Sequence, residues 1–158
     1  MGYSLTGYKL NSGDTAQQVA EILNGETEAE DYQGLTFTDA EKTIIDSCLM
    51  GEYAFEKIIF QTWIEYQKGS IQISVFADYI AIGVPYWETA RDDIRQVFEI
   101  IEKITTQTAI LFWDPQYGDF VGNTTAIHHE VYEYGLKATN EIMESATGSK
   151  KTWWQFWK

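Results

Sequence analysis

Hydrophobic and polar residues alternate most regularly in the middle of the chain. Every second residue is apolar from Ile71 to Val75 and again from Ile80 to Val84, which is the pattern of two half-buried strands. The Ala77-Asp78 segment between them predicts an antiparallel hairpin. Pro85 ends the second strand, because proline has no N–H to donate to a neighbouring strand.

The period changes to that of a helix after this hairpin. Its apolar residues are spaced to form one stripe and predict a helix that packs on the sheet; they are Ile94, Val97, Phe98, Ile101 and Ile104. The apolar run from Ala109 to Trp113, ended by Asp114-Pro115, predicts a buried strand.

The first fifty residues predict one strand and two helices. The strand covers 3–10, and the first helix is capped by Asp14 or Thr15 and ends at Asn24-Gly25. A solvated acidic loop follows at 26–34. A capping box then starts the second helix, which places Ile44, Ile45, Cys48 and Leu49 inward and ends at Gly51; the box is Thr38-Asp39-Ala40-Glu41.

Two further stretches complete the pattern. Residues 54–68 fit either period, and we interpret them as one strand of roughly 56–67, because β-branched and aromatic residues dominate. A last helix is predicted from Asn123 or Thr124 to Gly148. Its inward stripe is Ile127, Val131, Tyr134, Ala138 and Ile142.

This order of elements predicts an α+β domain. We expect about five strands in a mostly antiparallel sheet with the helices packed on one face, of which a ferredoxin-like variant is one form. The chain of 158 residues fits a single domain, which we assign to residues 1–148. Residues 149–158 are predicted to form a separate basic, aromatic tail.

Composition adds a marked acidity. The net charge is −13, with 24 acidic and 11 basic side chains. Because phosphates would be repelled, we expect no nucleic-acid partner. The same charge would steer a basic protein toward the chain, although it can also serve only solubility.

Location is predicted from what the chain lacks. Met1-Gly2-Tyr3-Ser4 does not begin a secretory leader, and no apolar run approaches the ~20 residues of a membrane span. The single Cys48 lies in an apolar helix and is expected to be a buried thiol with a raised pKa. We therefore expect a cytoplasmic protein without a transmembrane segment.

Some of these segments resemble a group of small acidic bacterial proteins, most of them uncharacterised. The similar segments are the Tyr3-Ser4-Leu5 strand, the strand at 71–76, the strand end at 82–87 and the turn at 112–116. Some members of that group look like immunity proteins encoded beside secreted antibacterial toxins. The resemblance implies the fold and a binding role, and it implies no active-site residue.

Residues with catalytic or metal-binding chemistry are few. His129 and Glu133 share a helix face, so His128, His129, Glu130 and Glu133 permit a metal-binding or hydrolytic site as an alternative function. A zinc site needs a third suitably placed ligand, and adjacent histidines point about 100° apart on a helix. We therefore predict no catalytic residue, no metal and no cofactor.

Aromatic and acidic residues also gather where two predicted strands end. We call these seven residues the strand-end patch and predict that they bind a partner, with Trp87 and Trp113 as anchors; they are Tyr86, Trp87, Glu88, Trp113, Asp114, Tyr117 and Asp119. The competing interpretation places Trp87 and Trp113 at the rim of the core, and Asp114 in a turn that binds local amides.

The predicted function is that of a non-enzymatic binding protein. We expect an immunity protein that covers the basic cleft of a cognate toxin. A further alternative is an adaptor whose Trp-rich tail recruits a membrane or another subunit. Docking of the tail onto the acidic body, or onto that of a second copy in a homodimer, is the role we expect for residues 149–158.

Overall fold

The computed structural model describes residues 2–26, 32–122 and 125–155, with side chains described as far as Ser145. Most of the predicted acidic loop and the side chains of the predicted tail lie outside the described residues. Within the described part, no helix combines the length and apolar composition needed to cross a bilayer.

In the described residues, seven strands form one open, antiparallel sheet, rather than the five that were expected. They lie side by side in the order β2-β3-β4-β5-β1-β6-β7. Their bounds are β1 Gly2–Lys9, β2 Glu56–Ile59, β3 Ile64–Lys68, β4 Ile71–Val75, β5 Tyr79–Pro85, β6 Ile110–Asp114 and β7 Asp119–Val121. The α+β class is therefore confirmed, and the strand count is corrected.

The described part of the chain also contains four α-helices. They are α1 Ala16–Leu23, α2 Asp39–Asp46, α3 Arg91–Gln107 and α4 Thr125–Gln155. A π-helical segment, Ser47–Glu52, continues α2, and a short 3₁₀ turn, Glu88–Ala90, precedes α3. Both predicted N-caps are present: Thr15 accepts from the N–H of Gln18, and Thr38 from that of Glu41.

The main core lies on one side of the sheet, called here the helix face. Tyr3 and Leu5 of β1 and the alternating isoleucines of β4 and β5 point there, against the buried stripe of α3. Gly7 of β1 has no side chain because the Phe112 ring of β6 occupies that space, 2.8 Å from where a Cβ would stand. The helix face is therefore tightly packed at β1, which lies near the middle of the sheet.

Helix α1 lies on the opposite side, called the second face, which corrects the expectation of helices on one face only. Its Val19 is fully buried yet does not belong to the main core. Its Leu23 lines a groove together with Thr6, Tyr8 and Tyr79. Those three side chains alternate with core-facing residues along β1 and β5, so they point to the second face.

The single strand predicted at 56–67 is in fact a hairpin of β2 and β3. Ile59 pairs with Ile64, and the N–H of Phe60 donates to the carbonyl of Trp63 at 2.9 Å. The intervening Gln61-Thr62 turn contains no residue with positive φ, so it needs neither glycine nor asparagine. The turn therefore left no signal in the sequence.

Helix α4 is longer than predicted and rotated from its predicted orientation. It continues past Gly148 to Gln155. The predicted inward residues Ile127, Tyr134 and Ile142 are exposed, whereas His128, Tyr132 and Leu136 are buried. The buried stripe begins at His128 and not at the predicted Ile127, because the polar His128 side chain contacts the buried Asp114. A prediction from apolar residues alone cannot include such a position.

Candidate protein-binding surface

A buried polar cluster connects the first strand to the last helix. Asp114 at the end of β6, Tyr3 of β1 and His128 of α4 are each no more than 1% exposed. The Tyr3 hydroxyl donates to Oδ2 of Asp114, and Nδ1 of His128 lies 2.6 Å from the same oxygen. These three residues are called the polar cluster.

The other oxygen of Asp114 organises the turn that follows β6. Its Oδ1 accepts from the backbone N–H groups of Gln116 at 2.9 Å and Tyr117 at 3.2 Å. An ionised carboxylate offers about four acceptor positions, so the fold uses the hydrogen-bonding capacity of Asp114. Burial and the bond to Asp114 together raise the pKa of Tyr3, which keeps the phenol protonated as a donor.

In the part of the chain that the structure describes, the two histidines of α4 and Glu133 contact other residues. His128 is held by Asp114, while the ring of His129 packs 6.4 Å from that of Phe98. Glu133 forms an ion pair with Arg91 at 3.1 Å. Among the described residues, no group of three or more His, Cys, Asp or Glu side chains is placed to hold a metal ion.

Two members of the predicted strand-end patch are buried and cannot contact a partner directly. Trp113 is 5% exposed and Asp114 is fully buried. Trp113 lies opposite Thr6 of β1 and packs edge-on against Phe120 at 5.4 Å. The prediction that Trp113 and Asp114 belong to a contact surface is therefore corrected, because the fold uses both inside.

The rest of the patch lies at one end of the sheet. Strands β5 and β6 both flank β1 and run antiparallel to it. Both therefore end at the same end of the sheet, and the two strands are about 10 Å apart across β1, twice the usual strand spacing. Trp87 is 60% and Tyr117 47% exposed, and Glu88 and Asp119 are also exposed. Tyr86 is half-buried against the Tyr132 ring, so it supports this surface from below.

A larger apolar surface occupies the opposite end of the sheet. Two hairpin turns lie there, each flanked by a pair of aromatic residues: Phe60 and Trp63, then Phe76 and Tyr79. The N–H of Phe76 donates to the carbonyl of Tyr79 at 2.9 Å, as Phe60 does to Trp63. The same turn geometry therefore brings each aromatic pair together.

The four rings form one continuous row on the second face. Ring centroids are 4.5 Å apart for Phe60 and Trp63, 5.9 Å for Trp63 and Phe76, and 4.3 Å for Phe76 and Tyr79. The planes of each adjacent pair are within 26° of parallel. Stacked pairs of this kind stabilise one another by about 0.5–1.5 kcal/mol beyond burial, which keeps the row rigid.

Exposed apolar residues continue to the edge of the sheet on both faces, with Ile58 beside the row on the second face and Ile59 on the helix face. Ile58 is 41%, Ile59 73% and Phe60 40% exposed. We call the combined set the hairpin surface; it consists of Ile58, Ile59, Phe60, Trp63, Phe76 and Tyr79. Contiguous exposed apolar residues with polar surroundings are typical of protein-binding sites.

A groove lies beside Ile59 on the helix face. It has a volume of about 660 Å³, with Asp39, Thr43 and Asp46 of α2 on one wall and Ile59 and Trp63 on the other. Asp46 accepts from Lys57 Nζ at 2.6 Å and from the Tyr66 hydroxyl at 2.8 Å. The hydrogen bond from Lys57, together with that from Tyr66, lowers the pKa of Asp46.

The hairpin surface was not predicted, although the sequences of its two turns are similar. The two turns read Phe-Gln-Thr-Trp and Phe-Ala-Asp-Tyr, so both place aromatic residues on either side of two residues. Because residues 56–67 were interpreted as one strand, the first of these turns, at 60–63, was not recognised.

Cys48 is buried as predicted, and its pKa is raised by burial and by the nearby Glu52.

Comparison with known protein families, with curated proteins and with solved structures gives no match.

Proposed function

We propose that this chain is a non-enzymatic, acidic binding protein that covers a basic protein partner, in the manner of an immunity protein that occludes its toxin. The observation that carries the proposal is the hairpin surface on a chain of net charge −13. Its Ile58, Ile59 and Phe60 are exposed, and its three other rings are half-buried. Apolar rings would anchor the partner, and the surrounding carboxylates would select its charge.

The hairpin surface suits an anchor because its rings are already ordered. Phe60 and Trp63 are stacked on each other before a partner arrives, so binding would cost less side-chain entropy than ordering free rings. Glu56 and Glu65 lie on the second face of β2 and β3, beside this row. A basic partner would thus meet carboxylates around an apolar centre.

The exposed residues of the strand-end patch form a second proposed contact. Trp87, Tyr117 and Asp119 lie at the other end of the sheet, so they would serve a second partner and not the one that is anchored at the hairpin surface. Each surface has its own exposed ring that can be removed without touching the core. The two contacts can therefore be tested separately.

The proposal is tested with the product of the gene adjacent to the one that encodes this chain. We expect that product to arrest growth when expressed alone and to be neutralised by coexpression of this chain. Stopped-flow association should slow as salt rises, because the field of the acidic body steers a basic partner. An adjacent product that is harmless, or that associates at a rate independent of salt, would contradict the proposal.

We further propose that the fold is an elaborated ferredoxin-like arrangement. The elements β1, α2, β4, β5, α3 and β6 follow one another in the strand-helix-strand-strand-helix-strand succession of that motif. Their strands are neighbours in the order β4-β5-β1-β6. The β2–β3 hairpin, which carries half of the aromatic row, would then be an addition to the edge of the basic motif.

A further inference from the structure

We propose that strand β2 is an acceptor edge, at which an extended, cationic segment of the partner adds as an eighth strand. This inference rests on the proposed function and specifies how the partner binds. Within the described residues β2 pairs only with β3 and stands at the end of the strand order. Its outer backbone groups therefore face away from the sheet and can pair with an added strand.

This edge lacks several of the devices that usually prevent strand addition. Natural edges are guarded by prolines, bulges, free lysines or a very short strand. Strand β2 is short, with four residues, but it contains no proline, and its one lysine, Lys57, is engaged by Asp46 at 2.6 Å. The opposite edge strand, β7, has three residues, and its one described hydrophobic side chain that is buried, Val121, is 2% exposed, whereas Ile59 of β2 is 73% exposed.

The side chains of β2 define what an added strand would contain. Ile59 lies beside the groove under α2 and is 73% exposed, so it would pack against apolar side chains on the helix face. Glu56 points to the second face and lies opposite Gln67. Its diagonal neighbour on β3, Glu65, lies opposite Ile58 and points the same way. Side chains of opposite charge across adjacent strands attract each other, so that face favours lysine or arginine.

A single alternating pattern meets both requirements. Because successive side chains of a strand point to opposite faces, an occupant with cationic residues at every second position would present them all to the second face. Its remaining positions, if β-branched, would all face Ile59 and the groove. The occupant inferred here is therefore a segment of alternating cationic and β-branched residues.

The probe is an eight-residue peptide that alternates lysine with valine, blocked at both ends. We expect it to bind the full chain and to slow amide hydrogen exchange in β2, but not in β7. A version of the same peptide with N-methylated backbone amides keeps its side chains and charge. We expect this version to bind at least tenfold more weakly, because it cannot complete the ladder.

Two variants connect the binding to this edge. Ile59→Lys should weaken peptide binding at least tenfold, and because Ile59 is largely exposed the variant should remain folded. Tyr134→Ala removes a ring of α4 that is 77% exposed and belongs to neither surface, so it should leave peptide binding unchanged. A peptide in which glutamate replaces lysine should not bind.

The outcomes separate this inference from the proposed function. Failure of the lysine-valine peptide to bind, or equal binding by its N-methylated form, overturns strand addition. Either result is still compatible with the proposed function, in which a folded basic partner binds the hairpin surface. If this chain does not neutralise the adjacent gene product, the proposed function itself is contradicted, whether or not the peptide binds.

Discussion

The residues at the end of β6 show how a polar side chain can be structural rather than functional. Asp114 holds Tyr3 and His128 and the two backbone amides of its own turn, so it connects β1, β6 and α4. An acid that is buried with its acceptors occupied supports the fold by preventing unpaired polar groups, each of which would cost free energy.

Removing one donor of the polar cluster tests that role. Tyr3→Phe keeps the ring, which packs against Phe98 and Tyr132, and deletes only the hydroxyl. Because hydrogen bonds to charged groups contribute about 1.5–3 kcal/mol, we expect the free energy of unfolding in urea to fall by about that amount. Tyr117→Phe, at an exposed position, is the control and should change it by less than about 0.5 kcal/mol.

Gly135 in α4 gives a second test at the same scale. Glycine inside a helix normally costs about 1 kcal/mol relative to alanine, but here a Cβ would stand 2.5 Å from the Tyr86 ring. We therefore expect Gly135→Ala to lower the free energy of unfolding instead of raising it. In the Tyr86→Ala background the same change should be neutral or stabilising; a stabilising effect in the wild type would contradict this packing.

At the scale of elements, the parts predicted from the sequence are those governed by local chemistry. The capping residues of α1 and α2, the stripe of α3 and the β4–β5 hairpin follow from spacing and from side chains next to the backbone they serve. The β2–β3 turn and the orientation of α4 do not, because one needs no special residue and the other depends on Asp114, fourteen residues away from His128. The prediction of the strand-end patch was partly wrong for the same reason, because its two buried residues, Trp113 and Asp114, contact residues that are distant in the sequence.

The link between α2 and the β2–β3 hairpin should depend on pH. The pKa of Asp46 is lowered in the folded state, so its contribution is present above the unfolded pKa of about 3.9 and is lost as pH falls through the folded value. Asp46→Asn should thus destabilise at pH 7, by less than about 1 kcal/mol because the pair is partly exposed. Urea unfolding should show this difference shrinking below about pH 4; a difference that grows there would contradict the link.

The end of α4 should be dispensable for folding. Leu136 is the last buried residue described on this helix, and residues 141–145 are all exposed. We expect deletion of residues 150–158 to leave the melting temperature unchanged within ~2 °C, since the buried residues described on α4 end before this segment. A large fall would show that the tail belongs to the core, which would contradict the domain boundary.

At the scale of the whole molecule, the two ends of the sheet carry different surfaces. One end carries the polar cluster and the exposed part of the strand-end patch, and the other carries the hairpin surface and the β2 edge. Charge and aromatic content were evident from composition, and they led to the expectation of a basic partner. Their location was not evident, because it depends on which strands are neighbours and on a turn with no sequence signal.

The most direct test of this account is the equilibrium affinity of the adjacent gene product for a pair of single-ring variants, measured by calorimetry. Phe60→Ala removes an exposed ring of the hairpin surface, and Trp87→Ala removes one from the strand-end patch. We predict that Phe60→Ala weakens binding at least tenfold, about 1.4 kcal/mol, while Trp87→Ala stays within threefold and both variants remain folded. Undiminished binding by Phe60→Ala, with a large loss in Trp87→Ala, would contradict the account and would locate the interface at the strand-end patch.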